Sequence, residues 1–427
     1  MNSERNYSPD SVFNCRSAIE GLRTGVPNRW SVAALGCGQP RIVQEFEAQI
    51  ARVQAGQSAK GLMIRGDFGM GKSHTLQYLG EMALNHGFVC SRLYVSKEAP
   101  LFDPVRLFSS AADSAALPDR AGNAFVELAN NLVFHSPAFR DFERWTNQPA
   151  RRKDSPFAST LLLFEKFASD HELRDQIIRF WAGDKLPVSN IRKRLRQINE
   201  SYPAGHLNAR ELAIERFRFA SRLIRAAGYA GWLLLIDEVE LIGSYSVLQR
   251  AKSYIEIARL MNVAEDSGYG AWPVLAITED YGRAVLQDKC DLEKIPGMLA
   301  QRALHSGDPD SEDAKAGMRI LNTGGLSLKR PDENVLDETY ETIRGLYSRA
   351  YRWEAPVLDT VIRGHSTPLR SYIRAWITEW DLSRLYGEHI TGIETESYRN
   401  TYTEDDSDPG ADERQSDASI VDELTNL

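Results

Sequence analysis

Residues Gly66-Asp67-Phe68-Gly69-Met70-Gly71-Lys72-Ser73-His74 place glycines, a lysine and a serine at the spacing of a phosphate cradle. Gly66 permits a sharp exit from a strand. Gly69 and Gly71 let successive backbone N–H groups point at one anion without side-chain clash. A helix starting at Lys72 would add the positive end of its dipole. Lys72 is expected to reach β- and γ-phosphates, and Ser73 to ligate Mg²⁺ through its hydroxyl. The expectation is a nucleoside triphosphate site with ATP and Mg²⁺ as cofactors. A chance glycine turn is the alternative, and the flanking apolar strand and helix argue against it.

A second constellation lies far downstream. Leu233-Leu234-Leu235-Ile236 runs straight into Asp237-Glu238. Burying an unpaired carboxylate is costly, so two of them ending an apolar strand call for a reason. At the C-terminal edge of a parallel sheet they would face the ligand crevice. Asp237 is expected to join Ser73 around the metal, and Glu238 to orient and polarise an attacking water. A solvated strand end is the bland reading.

Val274-Leu275-Ala276-Ile277 is followed by Thr278-Glu279-Asp280. This strand suits a polar sensor between the other two, with Thr278 bonding the water or the γ-phosphate. Two arginines complete the set, because a guanidinium fork suits phosphate. Arg302 is expected as a finger reaching a neighbouring subunit's nucleotide, so ATP should promote a homo-oligomer. Arg370 is expected to touch the γ-phosphate of its own subunit, with Arg363 and Arg374 as competitors. Either arginine could equally be a solvated or paired helical residue.

These groups need positioning elements. Residues 1–57 read as an entry segment with amphipathic runs at Ser17–Leu22 and Ile42–Val53, broken by Gly25, Pro27, Gly36, Gly38 and Pro40. Residues 58–98 read as strand, loop, helix from Lys72 to Asn85, and strand. Residues 99–230 have mostly helical period and read as a long insertion. Residues 231–283 return to buried strands around the helix Ser246–Asn262, completing an ATPase core over 58–283. Residues 284–393 read as a helical lid. Residues 394–427 read as an acidic disordered tail, with a short helix at Ala418–Leu424.

The ordered set resembles an AAA+ ATPase. The fold class implied is α/β, an AAA+-type P-loop NTPase with a parallel sheet, a helical insertion and a helical lid. Arg302 then resembles the arginine of the Ser-Arg-Cys box of clamp loaders, and Arg370 the sensor-2 arginine. A closer resemblance lies in Arg16-Ser17-Ala18-Ile19-Glu20-Gly21-Leu22-Arg23-Thr24-Gly25-Val26-Pro27, in the late Thr367-Pro368-Leu369-Arg370 and in Ile373-Arg374. With the phosphate loop and the insertion, these are similar to the ATP-binding proteins of BREX phage-defence loci, the BrxD-like group. That resemblance covers about residues 10–390. It implies other defence-system proteins as partners and DNA as the place of assembly.

Bulk composition fits this picture. The chain has 427 residues, 42% apolar and 26% charged, ordinary values for a globular protein. The net charge of −8 equals the excess of nine acids over one base in residues 401–427, so the remainder is near neutral. Four scattered cysteines and eight dispersed histidines match no zinc pattern. No run of about 18 apolar residues occurs and the N-terminus lacks signal-peptide order, so a cytoplasmic protein away from membranes is expected. Arg151-Arg152-Lys153, and Arg192-Lys193-Arg194 with Arg196, are candidates for nucleic-acid phosphates or simply solvated faces. Two other functions stay open: a nucleotide-gated switch in which hydrolysis only resets the state, and a DNA-binding adaptor.

Overall fold

The computed structural model describes residues 11–118, 122–205, 207–261, 270–306, 310–358 and 368–387, together with Tyr402. The acidic tail, its helix at 418–424 and Arg363 otherwise lie outside the described residues.

Three helices precede the sheet: α1 (Val12–Thr24), α2 (Arg29–Leu35) and α3 (Pro40–Gln54). Each starts and stops where its sequence dictates. Ser11 caps α1 and Gly25 ends it at φ 74°, while Asn28 and Ser31 form a capping box on α2. Then come β1 (Leu62–Arg65), α4 (Lys72–Asn85) and β2 (Val89–Tyr94).

A helical stretch separates β2 from the next strand. It holds α5 (Pro104–Asp113), α6 (Ala124–Asn130), α7 (Pro137–Thr146), α8 (Pro149–Asp154), α9 (Phe157–Lys166), α10 (His171–Ala182), α11 (Val188–Gln197) and α12 (Ala209–Ala226). Aromatic rings knit it together. Phe157 stacks on Phe219 at 4.5 Å, and Phe217 stacks on Trp232 of the sheet at 5.6 Å.

β3 (Trp232–Asp237), a 3₁₀ turn (Val239–Ser244), α13 (Val247–Met261) and β4 (Trp272–Ile277) follow. The last elements are α14 (Asp291–Ser306), α15 (Asp310–Thr323), the two-residue β5 (Leu326–Ser327), α16 (Glu333–Tyr351) and α17 (Leu369–Tyr386).

The sheet is parallel throughout, in the order β2-β3-β4-β1-β5. Its central strands are apolar because both faces are covered. Leu233 and Leu235 pack with Leu76 and Leu79 of α4, whereas Leu234 and Ile236 face the core shared with α5–α15. A Cβ at Gly80 would come 2.8 Å from Leu235, so that glycine lets α4 lie close on the sheet.

The late helices divide by packing. Ile295, Leu299, Met318 and Leu321 of α14 and α15 join the large core. α16 and α17 instead enclose α1: Cys15, Ile19 and Leu22 pack with Tyr347, Trp376 and Trp380. Arg16 Nε donates to the Ala350 carbonyl at 2.7 Å, and Arg23 pairs with Asp381.

Candidate nucleotide site

Register brings the three sequence constellations to one sheet edge. Arg65 aligns with Ile277, and Tyr94 with Asp237. The phosphate loop leaves β1, Asp237 ends β3, and Thr278 follows β4, which lies between them.

The loop needs its glycines. Gly69 and Gly71 have φ of 77° and 98°, in the left-handed region. A Cβ at Gly69 would also lie 2.9 Å from Pro368 Cβ. α4 begins without a side-chain cap, whereas Ser11, Asn28 and Asp103 cap α1, α2 and α5. α3, α8, α9, α11 and α17 likewise begin without one.

Lys72 is buried. Its Nζ donates to the Gly66 carbonyl at 3.0 Å and lies 3.3 Å from Glu240 Oε1. Asp237 is buried as well, and its Oδ1 accepts the Glu238 amide at 3.0 Å. Glu238 takes a left-handed backbone, φ 59° and ψ 33°. For a non-glycine residue that strain costs on the order of 1–3 kcal/mol and recurs at functional sites. Burial, and then Asp237, hold the Glu238 carboxyl above its ordinary proton affinity, while Lys72 and Arg370 pull it back.

Thr278 is buried, and its hydroxyl lies 3.0 Å from that of Tyr402. Tyr402 also donates to Asp280 at 3.3 Å. Arg370 opens α17. Its amide donates to the Gly69 carbonyl at 3.4 Å, and its guanidinium donates to the Thr24 carbonyl at 3.1 Å and stands over Phe68. Its buried Nε has no hydrogen-bond partner. Arg374 binds the Arg23 and Thr24 carbonyls at 3.2 and 3.0 Å.

A cavity of ≈ 380 Å³ opens over this edge, the size of a small-molecule site. Phe68 to His74, Glu238 and Arg370 line it. Pro27, Leu35 and Cys37 from the entry segment, with Val335 and Ile373, supply an apolar wall that the sequence reading did not assign. His74 Nε2 meets the Gly36 carbonyl at 2.7 Å, tying that wall to α4, and burial lowers the proton affinity of its imidazole.

Other expected residues stand apart from this wall. Gly66, Asp67, Asp237, Thr278 and Arg374 do not line the cavity, and Asp67 pairs at the surface with Arg330. Arg302 lies exposed on α14. The start of that helix is pinned by the buried pair of Arg250 and Asp291, two contacts of 2.8 Å. In the basic clusters Arg151 pairs with Glu215, Arg152 with Glu200 and Arg194 with Asp170, while Lys153, Arg192, Lys193 and Arg196 are exposed.

Among the described residues no helix is long and apolar enough to cross a membrane. A family model described as BREX system ATP-binding protein BrxC/D matches residues 14–135 and 157–374. No curated protein and no solved structure matches the chain. The family match takes in the phosphate loop, Asp237-Glu238, Thr278 and Arg370 and most of the fold built around them, so the chain belongs to the BREX system ATP-binding protein BrxC/D family.

Proposed function

We propose that the chain is an AAA+-type ATPase that binds ATP with Mg²⁺ and hydrolyses it within a cytoplasmic BREX-like anti-phage system. The observation that carries this reading is the shared sheet edge. Lys72 and Ser73 follow β1, Asp237 ends β3 with Glu238 next to it, and Thr278 follows the strand between. The uncapped α4 and the left-handed Gly69 and Gly71 fit a triphosphate, because backbone N–H groups at such a helix start can bind phosphate oxygens.

Each residue then has a task. Loop amides and Lys72 hold phosphate oxygens. Ser73 and Asp237 would hold Mg²⁺, which when bound would neutralise charge developing on the phosphates. Glu238 orients a water and takes its proton, and its raised proton affinity suits a base. Arg370, with an unpartnered Nε beside the loop, adds positive charge to the same cavity. Arg302 reaches a neighbouring copy, so turnover belongs to an oligomer. The core over 58–283, with helices from 99–230, would pass the nucleotide state to the helices of 284–393. That change would drive or gate assembly with other defence proteins on DNA.

Equilibrium binding of ATP with Mg²⁺ tests the first step. Lys72→Ala is expected to weaken binding by about 10–100-fold. Equal affinity in the two proteins would overturn the assignment.

A further inference from the structure

Glu240 is a buried carboxylate to which the mechanism above gives no task. It is 1% exposed, and the groups that reach its oxygens are the Lys72 ammonium and its own backbone amide. Its compensation is the Lys72 ammonium at 3.3 Å. Such a group is costly wherever it occurs, and a well-packed apolar side chain would be cheaper. The turn that carries it is anchored by Val239 and Ile242, both fully buried, and follows the left-handed backbone of Glu238.

We propose that Glu240 is a positioning residue for the phosphate-binding lysine. It holds the Lys72 ammonium against the loop and competes with the incoming phosphates for it. The inference rests on reading the cavity as a triphosphate site.

An ammonium has three donors. One goes to the Gly66 carbonyl and one faces Glu240, which leaves the third for a phosphate oxygen. The lysine is thus fixed before a ligand arrives, so less side-chain freedom is lost on binding. The same carboxylate opposes a polyanion. Lys72 and the neighbouring Glu238 are the charged residues acting on Glu240, and Asp237 stands at the same strand end. A triphosphate therefore approaches a lysine that already faces Glu240, in a cavity lined by Glu238. Removing the charge at Glu240 while keeping an acceptor for Lys72 relieves that opposition.

The experiment compares the full chain with Glu240→Gln, titrating ATP, ADP and AMP in the presence of Mg²⁺. ATP is expected to bind about 3–10-fold more tightly to the variant, with a smaller gain for ADP and none for AMP. That grading by phosphate charge separates positioning from a general packing role. A second arm uses stability alone. Lys72→Met leaves Glu240 buried and unpaired and should lower the melting temperature, and adding Glu240→Gln should restore it. Unchanged or weaker ATP binding in a folded Glu240→Gln protein overturns the proposal, as does failure of the rescue. A parent chain that binds no ATP, with the rescue intact, overturns the nucleotide reading and leaves the pair purely structural.

Discussion

The backbone amide of Arg370 donates to the carbonyl of Gly69 at 3.4 Å, so the first turn of α17 is fastened to the glycine loop. Pro368 seals the contact, because its Cβ occupies the space a side chain on Gly69 would need. α17 packs on α1 and α16 rather than on the sheet. The loop and that helical group are thus in direct contact.

Arg370 and Arg374 separate by role on this geometry. Both donate to the Thr24 carbonyl, but Arg370 lines the cavity with Glu238, whereas Arg374 does not line it and also binds the Arg23 carbonyl. Arg370→Ala is expected to lower ATP turnover by about 10–100-fold, the loss of a charge-assisted contact of roughly 1.5–3 kcal/mol. Arg374→Ala should loosen α1 from α17 and lower the melting temperature, with a smaller effect on turnover. Steady-state phosphate release and thermal unfolding on both variants check this.

Stability should carry a pH signature from Glu240. Burial raises its carboxyl from the ordinary 4.5 to about 7. Between those values the folded chain keeps a proton that the unfolded chain has released. The group's contribution is thus fully present below about 4.5 and is lost as pH rises through 7. The melting temperatures of the parent and Glu240→Gln should agree near about pH 5 and diverge near about pH 7.5, with the parent lower. A difference that does not change with pH would contradict this.

The proposed role of Arg302 is in assembly. It is exposed on α14 and away from its own cavity. Arg302→Ala should bind ATP as the parent does and lose most turnover, because a finger acts only on a neighbour's nucleotide. Sedimentation with ATP and Mg²⁺ should show larger species for the parent than without nucleotide. A monomer with full activity would remove this role.

Much of the site was legible because its chemistry is local. The phosphate loop and Asp237-Glu238 each sit within a few consecutive residues, and an apolar run before each announces a buried strand. Strand patterning also placed Thr278, since β4 does lie between β1 and β3. What stayed hidden depends on contacts between distant parts of the chain. Glu240 meets Lys72 across 168 positions, and nothing near Glu240 in sequence marks that contact. The amphipathic run Ser17–Leu22 does not say what covers it, and its apolar face is covered by α16 and α17. β5 has only two residues and carries no strand period. Tyr402 falls in a segment whose composition reads as tail, yet its hydroxyl meets Thr278.

The central claim is hydrolysis with Glu238 as the base, and Glu238→Gln tests it most directly. ATP binding and phosphate release are measured side by side on that variant and the parent. The account predicts that the parent releases phosphate, while the variant binds ATP at least as tightly and releases phosphate about 10²–10⁴-fold more slowly, the span general base catalysis contributes. Phosphate release at the parent's rate by the Glu238→Gln protein would contradict it.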